Sequence, residues 1–200
     1  MTAVLRKRIM IMRILCLGNS FTYFNNLPAM LAAILGCEVR SHTRGGAYLA
    51  EQYNPETEMG AKTLAALQNE HWDYVVLQEQ SNAPVLAKER FQKSVDTLVP
   101  LIRASGAQPV LYATWAYREG SEKLASTGLS YDEMDRGMYE SYHEAAERCQ
   151  TLTADVGQAF SAFRTIVDVY TEDDYHPSPA GSVLAAETIA RTIMEAENKR

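Results

Sequence analysis

The sequence predicts an α/β fold on a mostly parallel sheet, and three observations carry the prediction. Short runs of strand length alternate with longer runs of helical period along the chain. The clearest short runs, Arg13 to Leu17 and Asp73 to Gln78, are apolar at almost every position, as strands covered on both faces are. The segments between strands are long enough for helical crossovers, which are right-handed and leave successive strands parallel. At 200 residues the chain is shorter than the roughly 250 at which single cores stop growing, so one domain is expected over residues 13–200.

Taken in order, the chain begins with a basic patch, Arg6-Lys7-Arg8, ahead of apolar residues. That imitates a secretory leader, but Arg13 interrupts the apolar run and no clean small-residue cleavage site follows. Residues 1–12 are therefore read as a disordered extension, and a cytoplasmic location is expected. Arg13 to Leu17 is the first strand. Asn26-Leu27-Pro28 opens a helix, with Asn26 as N-cap and Pro28 in its first turn, and Gly36 ends it. Glu38 to Thr43 is a weaker strand followed by Gly45-Gly46. Thr57 to Asn69 reads as a helix with Leu64 and Leu67 turned inward. Asp73 to Gln78 is the third strand. Lys88 to Ser105 is amphipathic, with Phe91, Val95, Leu98, Val99 and Ile102 on one face. Pro100 lies within it and is expected to kink it, at up to about 3 kcal/mol. Gln108 to Thr114 is a strand, Tyr131 to Cys149 a helix, and Thr151 to Val156 a short fifth strand. The polar segment between Tyr117 and Tyr131 exceeds common connection lengths and reads as a lid or substrate loop. Ser178-Pro179 supplies an N-cap and a first-turn proline for the last helix, which runs to Glu197.

Composition narrows the function. Apolar residues at 46% and charged residues at 22% are globular values, not those of a disordered chain. Lys and Arg number 19 against 25 Asp and Glu, a net charge of −6. An acidic surface gives no general attraction to phosphate backbones, so nucleic acid is not an expected partner. No stretch approaches the roughly 20 apolar residues needed to span a bilayer. Cys16, Cys37 and Cys149 are few and widely spaced, so they read as small buried hydrophobes rather than a disulfide framework or zinc ligands. No metal or cofactor is expected.

Parallel sheets bind ligands beyond the carboxyl ends of their strands. The residues there are Gly18-Asn19-Ser20, Arg44-Gly45-Gly46, Glu79-Gln80-Ser81-Asn82 and Trp115. Ser20 follows the first strand on a turn whose Gly18 and Asn19 tolerate unusual backbone angles. A serine attacks only when a base takes its proton. His176, in Asp173-Asp174-Tyr175-His176-Pro177, is the candidate base. An Asp three residues before a His can accept Nδ1–H, which fixes the tautomer and frees Nε2. Asp174 competes with Asp173 for that role. Acyl transfer also needs donors for the developing oxyanion. Gly46, with Gly45 as an alternative, the Ser20 N–H and the Gln80 amide are candidates. His71 and His143 read as solvent-facing helix residues, and His42 sits on the weak strand.

The order of these pieces resembles the SGNH hydrolases, the GDSL esterase/lipase family. The serine block is Gly18-Asn19-Ser20-Phe21-Thr22, with Asn19 in place of the usual Asp. Gly46 matches the second block. Gln78-Glu79-Gln80-Ser81 stands where Gly-x-Asn-Asp is usual, and Asp173 and His176 match the last. The blocks Asn-Ser-Phe-Thr, Leu-Gln-Glu-Gln-Ser and His-Pro-Ser-x-x-Gly, all present, are similar to those of a divergent branch of that family. The resemblance spans residues 13 to 195. It implies a three-layer α/β/α sandwich with a flavodoxin-like five-stranded sheet. It also implies a serine esterase with Ser20, His176 and Asp173 as triad and Ser20, Gly46 and Gln80 as oxyanion hole. Gln is one methylene longer than Asn; Asn82 is the substitute donor and, with Trp115, a possible pocket residue. A small-molecule or carbohydrate ester, acetyl foremost, is the implied substrate. A catalytically weak binder of acylated sugar, a small-acyl lipase or thioesterase, and a flavodoxin-like anion binder are the alternatives. The last lacks a P-loop lysine and the Rossmann glycine spacing.

Overall fold

A computed structural model describes residues 11–199. Of the expected extension, residues 1–10 lie outside the described residues, while Met12 packs against the core. The five strands are β1 (Arg13–Gly18), β2 (Glu38–Thr43), β3 (Tyr74–Leu77), β4 (Gln108–Ala113) and β5 (Leu152–Asp155). All pair in parallel, in the order β2-β1-β3-β4-β5. Leu15 lies opposite Arg40 on one side and Val75 on the other. The central strands are buried along almost their whole length, which is why they carry no alternating pattern.

Between and after the strands run α1 (Ser20–Tyr23), α2 (Leu27–Leu35), α3 (Glu58–Asn69), α4 (Ala83–Leu86), α5 (Lys88–Ala104), α6 (Glu122–Ala125), α7 (Tyr131–Cys149), α8 (Val156–Phe163) and α9 (Pro179–Glu197). Helix α9 packs against α2 and α8, and α7 against α5 and α4, giving helices on both sides of the sheet. The caps follow the sequence. The Ser130 hydroxyl accepts from Glu133 N–H at the start of α7, and the Ser178 hydroxyl accepts from Gly181 N–H at the start of α9.

Several expectations need correction. Asn26 occupies the N-cap position of α2 but its side chain makes no capping bond, because its backbone is left-handed. On α3 the buried face is Thr63, Ala66 and Leu67, with Leu64 only half-buried. Helix α5 continues through Pro100. The fifth strand stops at Asp155, and Val156 opens a helix that its short amphipathic run did not announce. Cys16 is buried, and burial pushes its thiol up to about 12, whereas Cys37 and Cys149 are half-buried. Among the described residues no helix is long and apolar enough to cross a membrane.

The strand order reverses between β1 and β3, which lie side by side and whose following connections leave in opposite directions along the sheet. Such a reversal opens a crevice at the carboxyl edge, where parallel sheets of this kind bind ligands. The residues after β1 and β3 therefore face one another across it.

Candidate active site

The turn after β1 is built from polar residues that are themselves buried. Asn19 is 2% exposed. Its Oδ1 accepts from Phe21 N–H at 3.1 Å, and its carbonyl accepts from the N–H groups of Thr22 and Tyr23. Its Nδ2 donates to the Ala47 carbonyl at 3.1 Å, tying the turn to the loop after β2. Ser20 is the first residue of α1, and a helix leaves its first N–H groups without intrahelical partners. Asn19 takes the next three, so the Ser20 N–H is the first-turn donor it leaves over. Below the turn, Gln78 Oε1 accepts from Asn19 N–H at 2.9 Å and the Thr22 hydroxyl at 2.8 Å. A Cβ on Gly18 would stand 2.5 Å from that same Gln78 oxygen and 2.4 Å from Thr22 Oγ1. The glycine is required by close approach, not by backbone angle.

At the far end of the chain, the loop before α9 brings His176 to Ser20. His176 Nε2 lies 2.8 Å from Ser20 Oγ, and His176 Nδ1 lies 2.6 Å from Asp173 Oδ2. The other Asp173 oxygen, Oδ1, accepts three bonds, from the Thr171 hydroxyl at 2.7 Å, His176 N–H at 2.9 Å and Tyr175 N–H at 3.2 Å. Partial burial would raise this carboxyl, but donation from the His176 side chain and backbone, Thr171 and Tyr175 outweighs it and holds the carboxyl down, to about 2. A carboxylate in that state accepts Nδ1–H and leaves the Nε2 lone pair toward the serine. Asp174 points elsewhere: it pairs with Arg118 at 2.7 Å.

A cleft of about 350 Å³ opens over Ser20. Gly45, Gly46, Gln80 and Ser81 form part of its wall, with Tyr23, Phe24, Tyr175 and Lys123 around it. Gly46 has φ +69° and nothing within 4 Å of where a Cβ would sit, so its backbone faces open space in a conformation that favours glycine. Gln80 Nε2 donates to Ser81 Oγ at 3.0 Å, which leaves the second hydrogen of that amide free to donate.

No family model matches the chain, and no curated protein matches it. Among solved structures, the chain is similar to a protein assigned as an SGNH hydrolase from Slackia heliotrinireducens. The two are 48% identical over 92% of this chain and 100% of the other, with a TM-score of 0.88. The chain belongs to the SGNH hydrolase family. The likeness extends, as a likeness of fold, to a DUF4886 family protein from Bacteroides uniformis (20% identical over 92% and 83% of the two chains, TM-score 0.71). It also extends to an acetyl xylan esterase from Geobacillus stearothermophilus (18% identical over 91% and 94%, TM-score 0.64).

Within this SGNH hydrolase the residues singled out from sequence fall into two groups. Ser20, Gly46, Gln80 and His176 line one cleft, with Asp173 directly behind His176. Trp115 does not: it is fully buried, stacked between Phe21 (centroids 4.5 Å apart, planes 11° apart) and Phe160 (3.9 Å, 5°). Its indole N–H donates to the Tyr175 carbonyl at 3.0 Å, so it supports the histidine loop from beneath instead of walling a pocket. Asn82 caps α4 by position and is absent from the cleft wall. The segment expected as a lid contributes one side chain, Lys123, whose ammonium lies 4.4 Å from the Tyr175 ring. His143 is not simply solvent-facing, since Nε2 lies 2.7 Å from Asp155 Oδ1. His71 follows α3 instead of lying on it.

Two residues carry more of the site than the sequence suggested. Gln78 was visible only as part of a motif, yet it fastens the serine turn. Glu79 is fully buried and sits behind Gln80. Its Oε1 accepts from Gln80 N–H at 2.6 Å and Leu49 N–H at 3.1 Å, while Oε2 is buried without a hydrogen-bond partner. Burial pushes this carboxyl up, against the pull of the two N–H groups. A polar run directly after an apolar strand was the available signal for both.

Proposed function

We propose that this SGNH hydrolase is a serine esterase acting on small acyl esters, with O-acetyl esters of carbohydrates as its substrate class. The observation that carries the reading is the relay from Ser20 Oγ through His176 to Asp173, at 2.8 and 2.6 Å, in the floor of a small cleft. As Ser20 Oγ attacks the ester carbonyl carbon, its proton passes to His176 Nε2, and Asp173 stabilises the imidazolium. The carbonyl oxygen becomes an oxyanion held by Ser20 N–H, Gly46 N–H and the remaining Gln80 amide hydrogen. Nε2–H then protonates the departing alkoxide as the C–O bond breaks, leaving acyl-Ser20. A water, deprotonated by Nε2, attacks that acyl group, and the proton returns to Ser20 Oγ as the carboxylic acid leaves.

The cleft's modest size favours a short acyl chain, and its aromatic rim (Tyr23, Phe24, Tyr175) suits the faces of a sugar ring. The fold shared with an acetyl xylan esterase is consistent with this substrate class. The test is hydrolysis of 4-nitrophenyl esters from acetate to octanoate, beside acetylated xylo-oligosaccharides, by wild type and Ser20→Ala. Wild-type turnover should be fastest on acetate and absent in the variant, with a fluorophosphonate labelling Ser20. Full activity in Ser20→Ala, or a wild type that binds acetylated sugar without turnover or labelling, refutes the reading.

A further inference from the structure

The segment Phe24–Asn26 follows the serine helix directly, as a turn of 3-10 helix containing a kink. Two consecutive non-glycine residues in it are left-handed, Asn25 at φ 50°, ψ 23° and Asn26 at φ 60°, ψ 42°. Non-glycine residues adopt this conformation rarely, and where they do the surroundings must hold them there. Here the surroundings are the histidine loop and the helix after it. Asn25 Nδ2 donates to the Pro177 carbonyl at 3.0 Å and to Ser182 Oγ at 2.9 Å. Ser182 is fully buried, and its hydroxyl lies 3.5 Å from the Phe24 carbonyl. The turn lays the Phe24 ring on the His176 imidazole, with centroids 4.1 Å apart and planes within 4°.

We propose that Asn25, with Phe24, is a positioning clamp that keeps His176 in place while Ser20 is acylated. The inference rests on the esterase reading above and adds a role which that reading lacks. Ser20 and His176 are 156 residues apart, and the direct bond between them is the one the reaction must break. Once Ser20 Oγ carries the acyl group it has no proton to share with Nε2. Asp173 still orients the ring, but Asp173 belongs to the same loop and cannot fix that loop to the serine. Trp115 anchors the loop from the sheet side. The Asn25 bond to Pro177, one residue after the histidine, anchors it from the serine side through atoms that take no part in the chemistry.

The clamp therefore matters most for the second half-reaction. When deacylation alone slows, kcat and KM fall together and kcat/KM stays near its original value, because that ratio reports acylation from free enzyme. A substitution that only reduces the folded fraction lowers kcat with KM unchanged. Asn25→Gly keeps the left-handed backbone and deletes the amide. With 4-nitrophenyl acetate it is expected to lower kcat and KM together by about tenfold, within the cost of misplacing a catalytic group by an ångström, and to show a burst of one nitrophenolate per enzyme. Asn25→Asp, which tolerates the same backbone but cannot donate to Pro177, should behave alike. Ser182→Ala should give a smaller change in the same direction. A second measurement does not depend on turnover: in a Ser20→Ala background, which removes the direct bond to Nε2, the His176 Nδ1–H proton resonance should be present and should be lost to exchange when Asn25→Gly is added. Loss of kcat at constant KM, or wild-type kinetics with an unchanged resonance, overturns the clamp. A wild type inert toward the ester overturns the esterase reading instead, and the resonance then decides the clamp on its own.

Discussion

Replacing Asp173 by Asn tests the proton relay more sharply than removing it, because the hydrogen bonds around the carboxyl dictate how the amide must sit. Three donors converge on Oδ1, from Thr171, Tyr175 and His176 N–H, and one group, His176 Nδ1, meets Oδ2. The amide carbonyl keeps all three donors only if it takes the Oδ1 place. At about 1 kcal/mol per bond, three bonds outweigh one. The Nδ2 group is then aimed at Nδ1, which must accept. The imidazole is forced into the tautomer with hydrogen on Nε2, and that nitrogen can no longer take the serine proton. The geometry survives while kcat should fall by about 10⁴-fold, the scale seen when a triad imidazole is held in the wrong tautomer. Asp174→Asn loses only the ion pair to Arg118, which is partly exposed, and Asn tolerates its left-handed backbone. Its activity should stay within about threefold of wild type. The assay is 4-nitrophenyl acetate hydrolysis from pH 5 to 9, with circular dichroism to show both variants folded. An Asp173→Asn enzyme within tenfold of wild type, or a larger loss in Asp174→Asn, would refute the reasoning.

Gln80→Ala should lower kcat by about a hundredfold with little change in KM, the effect of losing one oxyanion donor; steady-state kinetics at saturating acetate ester reads it, and an unchanged kcat removes Gln80 from the hole. Stability should also fall on acidification through His42. Burial foremost, with the nearby Lys62 charge, lowers this imidazole to about 4 from its ordinary 6.5. The folded state thus keeps it neutral where the unfolded chain takes up a proton. The stabilisation is whole above pH 6.5, drains between 6.5 and 4, and amounts to about 3 kcal/mol at most. Urea midpoints at pH 7.5 and 4.5 should converge for His42→Asn relative to wild type, since the amide keeps a donor toward Thr63 and does not titrate. Equal pH dependence in both would refute it.

What could be read from the sequence was what is local. Apolar runs placed β1, β3 and β4 to within a residue, because strands buried on both faces need no partner information to be recognised. Asp173 and His176 could be paired on paper because three residues of one loop suffice to bring their side chains together. The order of blocks put Ser20 and His176 at the same sheet edge, although 156 residues separate them. What was hidden depended on distant neighbours. Trp115 sits at a strand end like a pocket residue, but Phe21 and Phe160, from either side in sequence, close over both its faces. Asn25 and Asn26 are of a residue type that tolerates left-handed backbone, but the sequence does not show that Asn25 is held there by Pro177 and Ser182, which lie more than 150 residues away. His42 looked like a weak-strand residue until α3 supplied Thr63, 3.0 Å from its Nδ1.

The departure of the third block from the family pattern, Gln78-Glu79-Gln80 in place of Gly-x-Asn, makes physical sense as one unit. Three consecutive polar residues at the end of a buried strand alternate in direction, and each finds a different loop. Gln78 reaches back under the serine turn and donates its amide to the Glu79 carbonyl. Gln80 reaches forward to the cleft wall. Glu79, between them, binds the Leu49 N–H of the connection that carries Gly46, and the N–H of Gln80 itself. The two loops that flank the serine are thus joined through one buried carboxyl. A glycine at the first position would leave Asn19 N–H and Thr22 without their shared acceptor, and a shorter amide at the third would start further from the cleft. Glu79 binds the Gln80 N–H itself, so the two substitutions and the carboxyl between them stand or fall together.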